Sequence, residues 1–256
     1  YSKNLKFIPY NNIENSKKIL DKNRKKIMCI IIEPIQGCLP MNTKKYLKFL
    51  SDYANKNNIT LIFDEIITGI RFNCSSVQNI FKLNPSISTF GKCLGGGFPM
   101  GIIALKKNIV NKLNKNKKNV FFGGTFSGNS INTYVGNKVT KFIIKNKKNI
   151  FEKLNEKAMY LQTQLNDFFI RFNYQARCYR FSSILRIVFT DKDIKNRTQR
   201  DFLEKKNRSA IDKFRKFLFK NKIYHSKNGI IFLATTTSYK DINYLIKIIQ
   251  KGFKNK

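Results

Sequence analysis

Short uninterrupted runs of hydrophobic residues alternate with longer segments in which apolar residues recur at helical spacing. The runs at residues 26–32, 60–63 and 87–90 have the length and β-branched content of buried strands. Between the first two runs, residues 43–57 show helical spacing, with Thr43 as a plausible N-cap. Two buried strands joined by a helix predict a parallel pair, so this part of the chain predicts an α/β fold.

The second half of the chain predicts further helices and strands. A long helical stretch with a break is followed by alternating strands and helices, a pattern that predicts a small α/β layer domain. The predicted elements are a helix over 130–172 broken near 145–149, a strand over 183–189, a helix over 201–221, a strand over 229–234 and a helix over 239–253 capped by Ser238. We place the domain boundary near residue 145, with domains at 1–145 and 146–256.

Composition narrows the class of protein. With 42% hydrophobic and 13% aromatic residues, the 256-residue chain is too apolar for a disordered protein. No apolar run approaches the roughly 18 residues that a membrane helix needs, so no membrane partner is expected. Five irregularly spaced cysteines and one histidine predict neither a disulfide framework nor a metal site. A reducing, cytoplasmic location is therefore the expectation.

The formal net charge of +35 raises the alternative of nucleic-acid binding. However, the chain has 40 Lys and 31 Asn but only 10 Arg, the residue whose bidentate donors bind bases and phosphates best. Lys and Asn are abundant everywhere, which indicates compositional bias rather than a selected patch. We therefore expect no specific nucleic-acid partner, and a nucleic-acid binder would show affinity that falls steeply with salt.

Three groups of candidate functional residues follow the predicted strands, where open α/β sheets place their ligands. Asp64 and Glu65 follow the second strand, and Lys92 follows the third and precedes three glycines. Residues 123–130 (Gly-Gly-Thr-Phe-Ser-Gly-Asn-Ser) precede a helix and could bind an anion. Each group alone is equally compatible with an ordinary cap or turn.

Together these groups resemble the class III aminotransferases, a family of pyridoxal-phosphate enzymes. The resemblance is carried by Glu-Pro-Ile-Gln-Gly at 33–37, Leu-Ile-Phe-Asp-Glu at 61–65, Ser-Thr-Phe-Gly-Lys-Cys-Leu-Gly-Gly-Gly at 88–97 and Gly-Thr-Phe-Ser-Gly-Asn at 124–129. It is strong over about residues 6–140. It implies a PLP-dependent transferase type I fold, with the C-terminal part of a large parallel or mixed-sheet domain followed by a small C-terminal α/β domain.

The resemblance also implies roles for individual residues. Lys92 would hold pyridoxal 5'-phosphate as a Schiff base and then move protons, and Asp64 would keep the pyridinium nitrogen protonated. Thr125 would reach the cofactor phosphate from the neighbouring subunit of a homodimer, and Gln36 would lie near the ring oxygen. The implied reaction exchanges an amino group between a small-molecule amino donor and a carbonyl acceptor. Arg71 and Arg186 are candidates for holding a substrate carboxylate or, equally, for ion pairs.

Two alternatives remain open, one within pyridoxal-phosphate chemistry and one without catalysis. The turn at 124–129 is closest to the glutamate-1-semialdehyde aminomutase branch, which feeds tetrapyrrole synthesis, but Gly229 stands where that branch carries a Glu and Thr237 where a His is common. Family members are also longer at the N-terminus, where a phosphate loop and a ring-stacking aromatic residue are expected. The chain, which begins at Tyr1, therefore resembles an N-terminally incomplete member, and a non-catalytic fragment or decayed relative is the second alternative.

Overall fold

The computed structural model describes residues 4–115, 123–226 and 229–254. Its strands are β1 (Cys29–Ile32), β2 (Thr60–Asp64), β3 (Ile87–Gly91), β4 (Gly101–Leu105), β5 (Arg177–Phe181), β6 (Ile184–Val188) and β7 (Ile230–Phe232). Its helices are α1 (Ile13–Asn23), α2 (Lys44–Lys56), α3 (Val77–Ile80), α4 (Lys107–Lys115), α5 (Ser130–Lys145), α6 (Lys147–Arg171), α7 (Arg197–Lys205), α8 (Arg208–Lys220) and α9 (Tyr239–Lys254). Short 3-10 helices cover Arg24–Lys26 and Lys92–Gly95.

The chain forms two compact units, each built from segments that are not contiguous in sequence. The four-stranded unit comprises Asn23–Pro34 and Thr43–Phe151. The three-stranded unit comprises Tyr1–Lys22, Ile35–Asn42 and Glu152–Lys256. The domain boundary near residue 145 stays a prediction from sequence.

The four-stranded unit contains a mixed sheet with the strand order β1-β2-β3-β4. β1, β2 and β3 are parallel, whereas β4 runs antiparallel to β3. The register pairs Ile30 with Leu61 and Asp64 with Thr89. The parallel arrangement that the sequence predicted for the first strands is confirmed. The carboxyl ends of β2 and β3 therefore lie side by side.

Helix α2 covers part of this sheet because its apolar residues share one face. Tyr46, Leu47, Leu50 and Ala54 are all buried, as expected for apolar positions three and four residues apart. Thr43 occupies the predicted N-cap position, but its side chain makes no capping hydrogen bond. Its hydroxyl instead donates a hydrogen bond of 2.7 Å to the Pro34 carbonyl oxygen, which ties the start of α2 to the end of β1.

The three-stranded unit contains an antiparallel sheet in the order β5-β6-β7. Every residue of the central strand β6 is buried. An aromatic cluster packs around Phe253 of α9, whose ring centroid lies 4.8 Å from that of Phe169, 5.1 Å from Phe214 and 5.6 Å from Phe189. These contacts join α6, α8 and α9 to the strand end into one core.

The α/β class predicted from the sequence is confirmed, and two details differ. The helix expected over 201–221 is two helices, α7 and α8, which are separated at residues 206–207. Strands β4 and β5 were not predicted. β5 has neither a continuous apolar run nor clear alternation, whereas β4 contains the short apolar run at 102–105. In the described ranges 4–115, 123–226 and 229–254, no helix has both the length and the apolar content needed to span a bilayer.

Candidate active site

Asp64 ends β2 with its carboxylate anchored on one side only. Its Oδ1 accepts hydrogen bonds from the Ile66 backbone N–H at 3.1 Å and from the Thr89 hydroxyl at 3.3 Å. Thr89 is the register partner of Asp64 on β3. Within the described part of the chain, Oδ2 makes no hydrogen bond, so this half-buried oxygen is available to an incoming cationic N–H group.

Lys92 follows β3 directly and adopts an uncommon backbone conformation. Its φ angle is +53°, in the left-handed region that residues with a Cβ rarely occupy, at a cost of about 1–2 kcal/mol. The lysine opens the 3-10 turn Lys92–Gly95, and its side chain is exposed. Its ammonium group makes no ion pair or hydrogen bond with any described residue. Eight other described residues with a Cβ, including Lys82 and Lys222, also have a positive φ, so this conformation alone does not mark a functional site.

The turn after Lys92 is held in place by close packing against α5. At Gly96, which has φ +59°, an added Cβ would lie 2.6 Å from the Val139 side chain. At Gly136 of α5, a Cβ would lie 2.5 Å from the Met100 sulfur. The Asn132 side chain also donates a 2.7 Å hydrogen bond to the Pro99 carbonyl. The small residues here thus serve to bring the helix and the lysine turn together.

Glu65, to which the sequence assigned no chemistry, organises the segment that follows Asp64. Its side chain is fully buried. Oε2 accepts hydrogen bonds from the Thr68 hydroxyl at 2.6 Å and from the Val77 N–H at 2.9 Å, while Oε1 accepts one from the Gln78 N–H at 2.9 Å. Burial raises the pKa of this carboxyl, against the effect of these hydrogen bonds. Glu65 therefore ties the end of β2 to the start of α3.

Thr125 lies in an exposed turn before α5. The Asn129 side chain caps this helix and accepts hydrogen bonds from the backbone N–H groups of Ile131 and Asn132, each at 3.1 Å. Two of the helix N–H groups that could bind an anion are thus already bonded, which favours the cap-and-turn interpretation for this feature. Among the described residues, no hydrogen bond joins Thr125 to Asp64 or Lys92.

Gln36 belongs to the three-stranded unit, in the segment Ile35–Asn42, whereas Asp64, Lys92 and Thr125 belong to the four-stranded unit. It is half-buried, and its carbonyl oxygen accepts a 3.0 Å hydrogen bond from the Leu39 N–H in a tight turn. The structure relates Asp64 to Lys92 through adjacent strands. The place of Gln36 near a cofactor ring stays a prediction.

The two arginines named from the sequence have structural partners. Arg186 forms an ion pair of 2.7 Å with Glu204, and the two side chains are only 8% and 12% exposed. Burial lowers the pKa of Arg186, against the effect of the nearby carboxylate. Arg71 donates from Nε to the Ile67 carbonyl oxygen at 3.4 Å. For Arg186, the ion-pair alternative is the one that the geometry favours.

Asp64 and Lys92 thus define a class of site: an acid and an unpaired amine at the carboxyl ends of two adjacent parallel strands. Across the described residues, no group of three or more His, Cys, Asp or Glu side chains could hold a metal ion. The site therefore offers a carboxylate and an amine, but not a set of metal ligands. The unpaired amine of Lys92 suits an aldehyde, and the available oxygen of Asp64 suits a protonated ring nitrogen. Together they suit a heterocycle that bears an aldehyde.

Comparison with known proteins gives the same class. Residues 4–192 match the family model of class III aminotransferases, and the chain belongs to this family. Enzymes of this family depend on pyridoxal phosphate. The resemblance recognised in the sequence is therefore confirmed.

Relatives and solved structures add detail. The chain is 33% identical over 221 residues to the glutamate-1-semialdehyde 2,1-aminomutase of Methanococcus maripaludis strain S2, covering 85% of this chain and 49% of that protein. It is 32% identical over 254 residues to the enzyme of the same name from Flavobacterium psychrophilum, covering 96% of this chain and 57% of that protein. An omega-transaminase from Sphaerobacter thermophilus has the same fold, with a TM-score of 0.86 and 18% identity. The match covers 96% of this chain and 56% of the transaminase chain. The chain spans about half the length of the curated relatives it matches.

Proposed function

We propose that this chain carries the lysine half of a class III aminotransferase site and works in the exchange of an amino group between a small-molecule donor and a carbonyl acceptor. The observation that carries the proposal is the pairing of Asp64 and Lys92 at the ends of adjacent parallel strands, in a chain of this family. Pyridoxal 5'-phosphate, when bound, supplies an electron sink for the substrate carbanion. We further infer a homodimer in the cytoplasm.

Asp64 has a positioning and an electrostatic role in this proposal. Its Oδ1 is held by Ile66 and Thr89, so Oδ2 has a defined direction for pairing with a protonated ring nitrogen. A charge-assisted hydrogen bond of this kind is about twice as strong as a neutral one. It would keep the nitrogen in its cationic form.

Lys92 would hold the aldehyde carbon of the cofactor and would then move a proton at the substrate Cα. An amine that must leave and return needs a side chain without competing partners, and the Lys92 ammonium has none among the described residues. Its left-handed backbone conformation fixes where the side chain departs from the chain. Thr125, as a phosphate ligand to a neighbouring subunit, and Gln36, near the ring oxygen, complete the proposed binding set.

The assignment of Lys92 is tested by borohydride reduction of the cofactor-treated protein, followed by peptide mapping. Reduction fixes the cofactor permanently to the amine that holds it. Surface lysines are abundant in this chain, so the matched control is Lys107→Arg, which changes an exposed lysine of α4. We expect one dominant labelled peptide containing Lys92, lost in Lys92→Ala and retained in Lys107→Arg. Labelling spread evenly over many lysines would reject the assignment and favour a non-catalytic fragment.

Glutamate-1-semialdehyde aminomutase activity is the second candidate, supported by relatives of that name that are 32–38% identical to this chain. Gly229 argues against it, because the sequence pattern of that branch carries a carboxylate there. In this chain Gly229 has φ +69°, and an added Cβ would lie 3.4 Å from the Arg186 guanidinium carbon. Offering the semialdehyde and measuring 5-aminolevulinate separates the two candidates, since an aminotransferase would instead need an external amino donor and acceptor.

A further inference from the structure

A cationic pocket lies between helix α8 and the loop that follows it, in the three-stranded unit. Its volume is about 440 Å³. Arg215, Lys216 and Lys220 line it from α8, and Tyr224 and His225 line it from the loop. The one acid in the lining, Asp212, is already paired with Arg215 Nη1 at 3.2 Å. The lining therefore has a net positive charge.

Two groups in this pocket are buried without hydrogen-bond partners. Both ring nitrogens of His225 and the Nε of Arg215 are shielded from solvent, and none of the three makes a hydrogen bond within the described part of the chain. Buried polar groups in proteins are nearly always hydrogen-bonded, because leaving one without a partner is costly. Arg215 Nε–H and the one N–H of a neutral imidazole are donors without partners, and a ligand that accepts hydrogen bonds would satisfy them.

The charges around His225 indicate the sign of that ligand. Burial lowers the pKa of His225 to about 4, and the cations of Arg215 and Arg186 act in the same direction. The Gly229 backbone acts in the opposite direction but is not placed to make a hydrogen bond. The imidazole is therefore neutral at pH 7 and offers one N–H donor. A bound anion would offset the neighbouring cations.

The geometry points to a binding site for the phosphate dianion of a small molecule in the pocket formed by Arg215, Lys216, Lys220 and His225. Because Asp212 neutralises one of the three cations, the lining keeps a net charge of about +2. A phosphate dianion balances this charge and presents three acceptor oxygens, whereas a monovalent carboxylate balances only half of it. The pocket is larger than inorganic phosphate alone needs. The exposed ring of Tyr224 at its mouth offers a surface for the rest of an organic phosphate.

The single histidine of the chain makes the test direct. We expect inorganic phosphate, added to the protein without cofactor, to shift the His225 ring signals in NMR saturably and to raise the His225 pKa. Arg215→Gln should weaken phosphate binding by about tenfold, the usual worth of one charge-assisted hydrogen bond. The matched control Lys153→Gln changes an exposed lysine on α6 outside the pocket and should leave binding unchanged.

Additional arms distinguish the possible outcomes. Glycerol phosphate that binds more tightly than inorganic phosphate would identify an organic phosphate as the ligand, and acetate should compete weakly at matched ionic strength. If Arg215→Gln does not fold, the exposed pair Lys216→Gln and Lys220→Gln replaces it, with the same expected direction. Shifts that grow linearly with salt, or that are equal for phosphate, acetate and every variant, would overturn the proposal. Neither outcome depends on the chemistry proposed for Lys92.

Discussion

Glu65 provides a quantitative test of how the segment after Asp64 is held. Replacing it with Ala removes the acceptor for two buried backbone N–H groups, those of Val77 and Gln78, and for the Thr68 hydroxyl. Each buried backbone donor left without a partner costs about 1–3 kcal/mol, whereas a hydroxyl can rotate to a new partner. We therefore expect the free energy of unfolding to fall by about 3–5 kcal/mol.

Glu65→Gln tests the same contacts more finely. Gln retains one acceptor oxygen but turns an NH₂ group toward a backbone N–H, so one donor loses its partner. It also removes the buried charge, whose desolvation is the reason that the pKa of Glu65 is raised. The net loss should be about 1–2 kcal/mol, smaller than for Ala. Urea unfolding at pH 7 measures both variants.

The pH dependence gives an independent signature of Glu65. A carboxyl with a raised folded-state pKa holds its proton at pH values where the unfolded chain has already released it. Its contribution to stability is therefore present below pH 4.5 and is lost as the pH rises through the raised pKa. Glu65→Gln should remove this loss. Glu14→Gln, at an exposed i,i+4 pair with Lys18, should barely change stability at pH 7, and because the Glu14 pKa is lowered it affects the profile only below pH 4.5. Glu65→Ala as stable as Glu14→Gln would refute the reasoning.

Three further predictions concern other packed positions. His225, with a folded-state pKa of about 4 against an ordinary value of 6.5, makes stability fall as the pH drops through that window, by about 3 kcal/mol; His225→Leu should flatten the profile measured by denaturation between pH 7 and pH 4. Gly136→Ala should lower the thermal midpoint and the cofactor affinity through the lysine turn, at about 1–2 kcal/mol, while Gly101→Ala, which has open space around it, should be neutral. Glu204→Ala should cost about 3–5 kcal/mol in urea unfolding by removing the carboxylate that pairs with the buried Arg186, and a loss no larger than that of an exposed ion pair would contradict the buried geometry.

The sheet that carries the candidate site was predictable because its first three strands are visible in the sequence as apolar runs. The apolar runs of β1, β2 and β3 are continuous, and the helix between the first two forces a parallel connection. A parallel sheet in turn makes the positions after its strands candidates for ligand contacts. Asp64 and Lys92 follow from that reasoning before any contact is known.

Other features depend on contacts that local sequence does not encode. β4 has the apolar run of a buried strand at 102–105, yet it is an antiparallel edge strand with mostly exposed residues, so its place in the sheet does not follow from its local pattern. The Thr43 hydroxyl bonds to Pro34, nine residues earlier, instead of capping its own helix. The partners of Glu65 lie three, twelve and thirteen residues away. The available signal for Glu65 was only an acid directly after a buried strand, which is equally typical of an exposed turn.

The position of Lys92 follows from the local sequence pattern, whereas its backbone conformation depends on tertiary packing. The strand before it places the lysine at the edge of the sheet where Asp64 lies, which is a consequence of local pattern and topology. Its left-handed φ angle, however, costs free energy that the lysine cannot recover from its own side chain, which has no partner among the described residues. The following turn packs closely against α5, where Gly96 and Gly136 leave no room for a Cβ, and this packing favours the observed conformation. A chemically free amine on a conformationally fixed backbone is therefore maintained by residues that take no part in the chemistry, and loosening that packing should impair cofactor binding before it unfolds the chain.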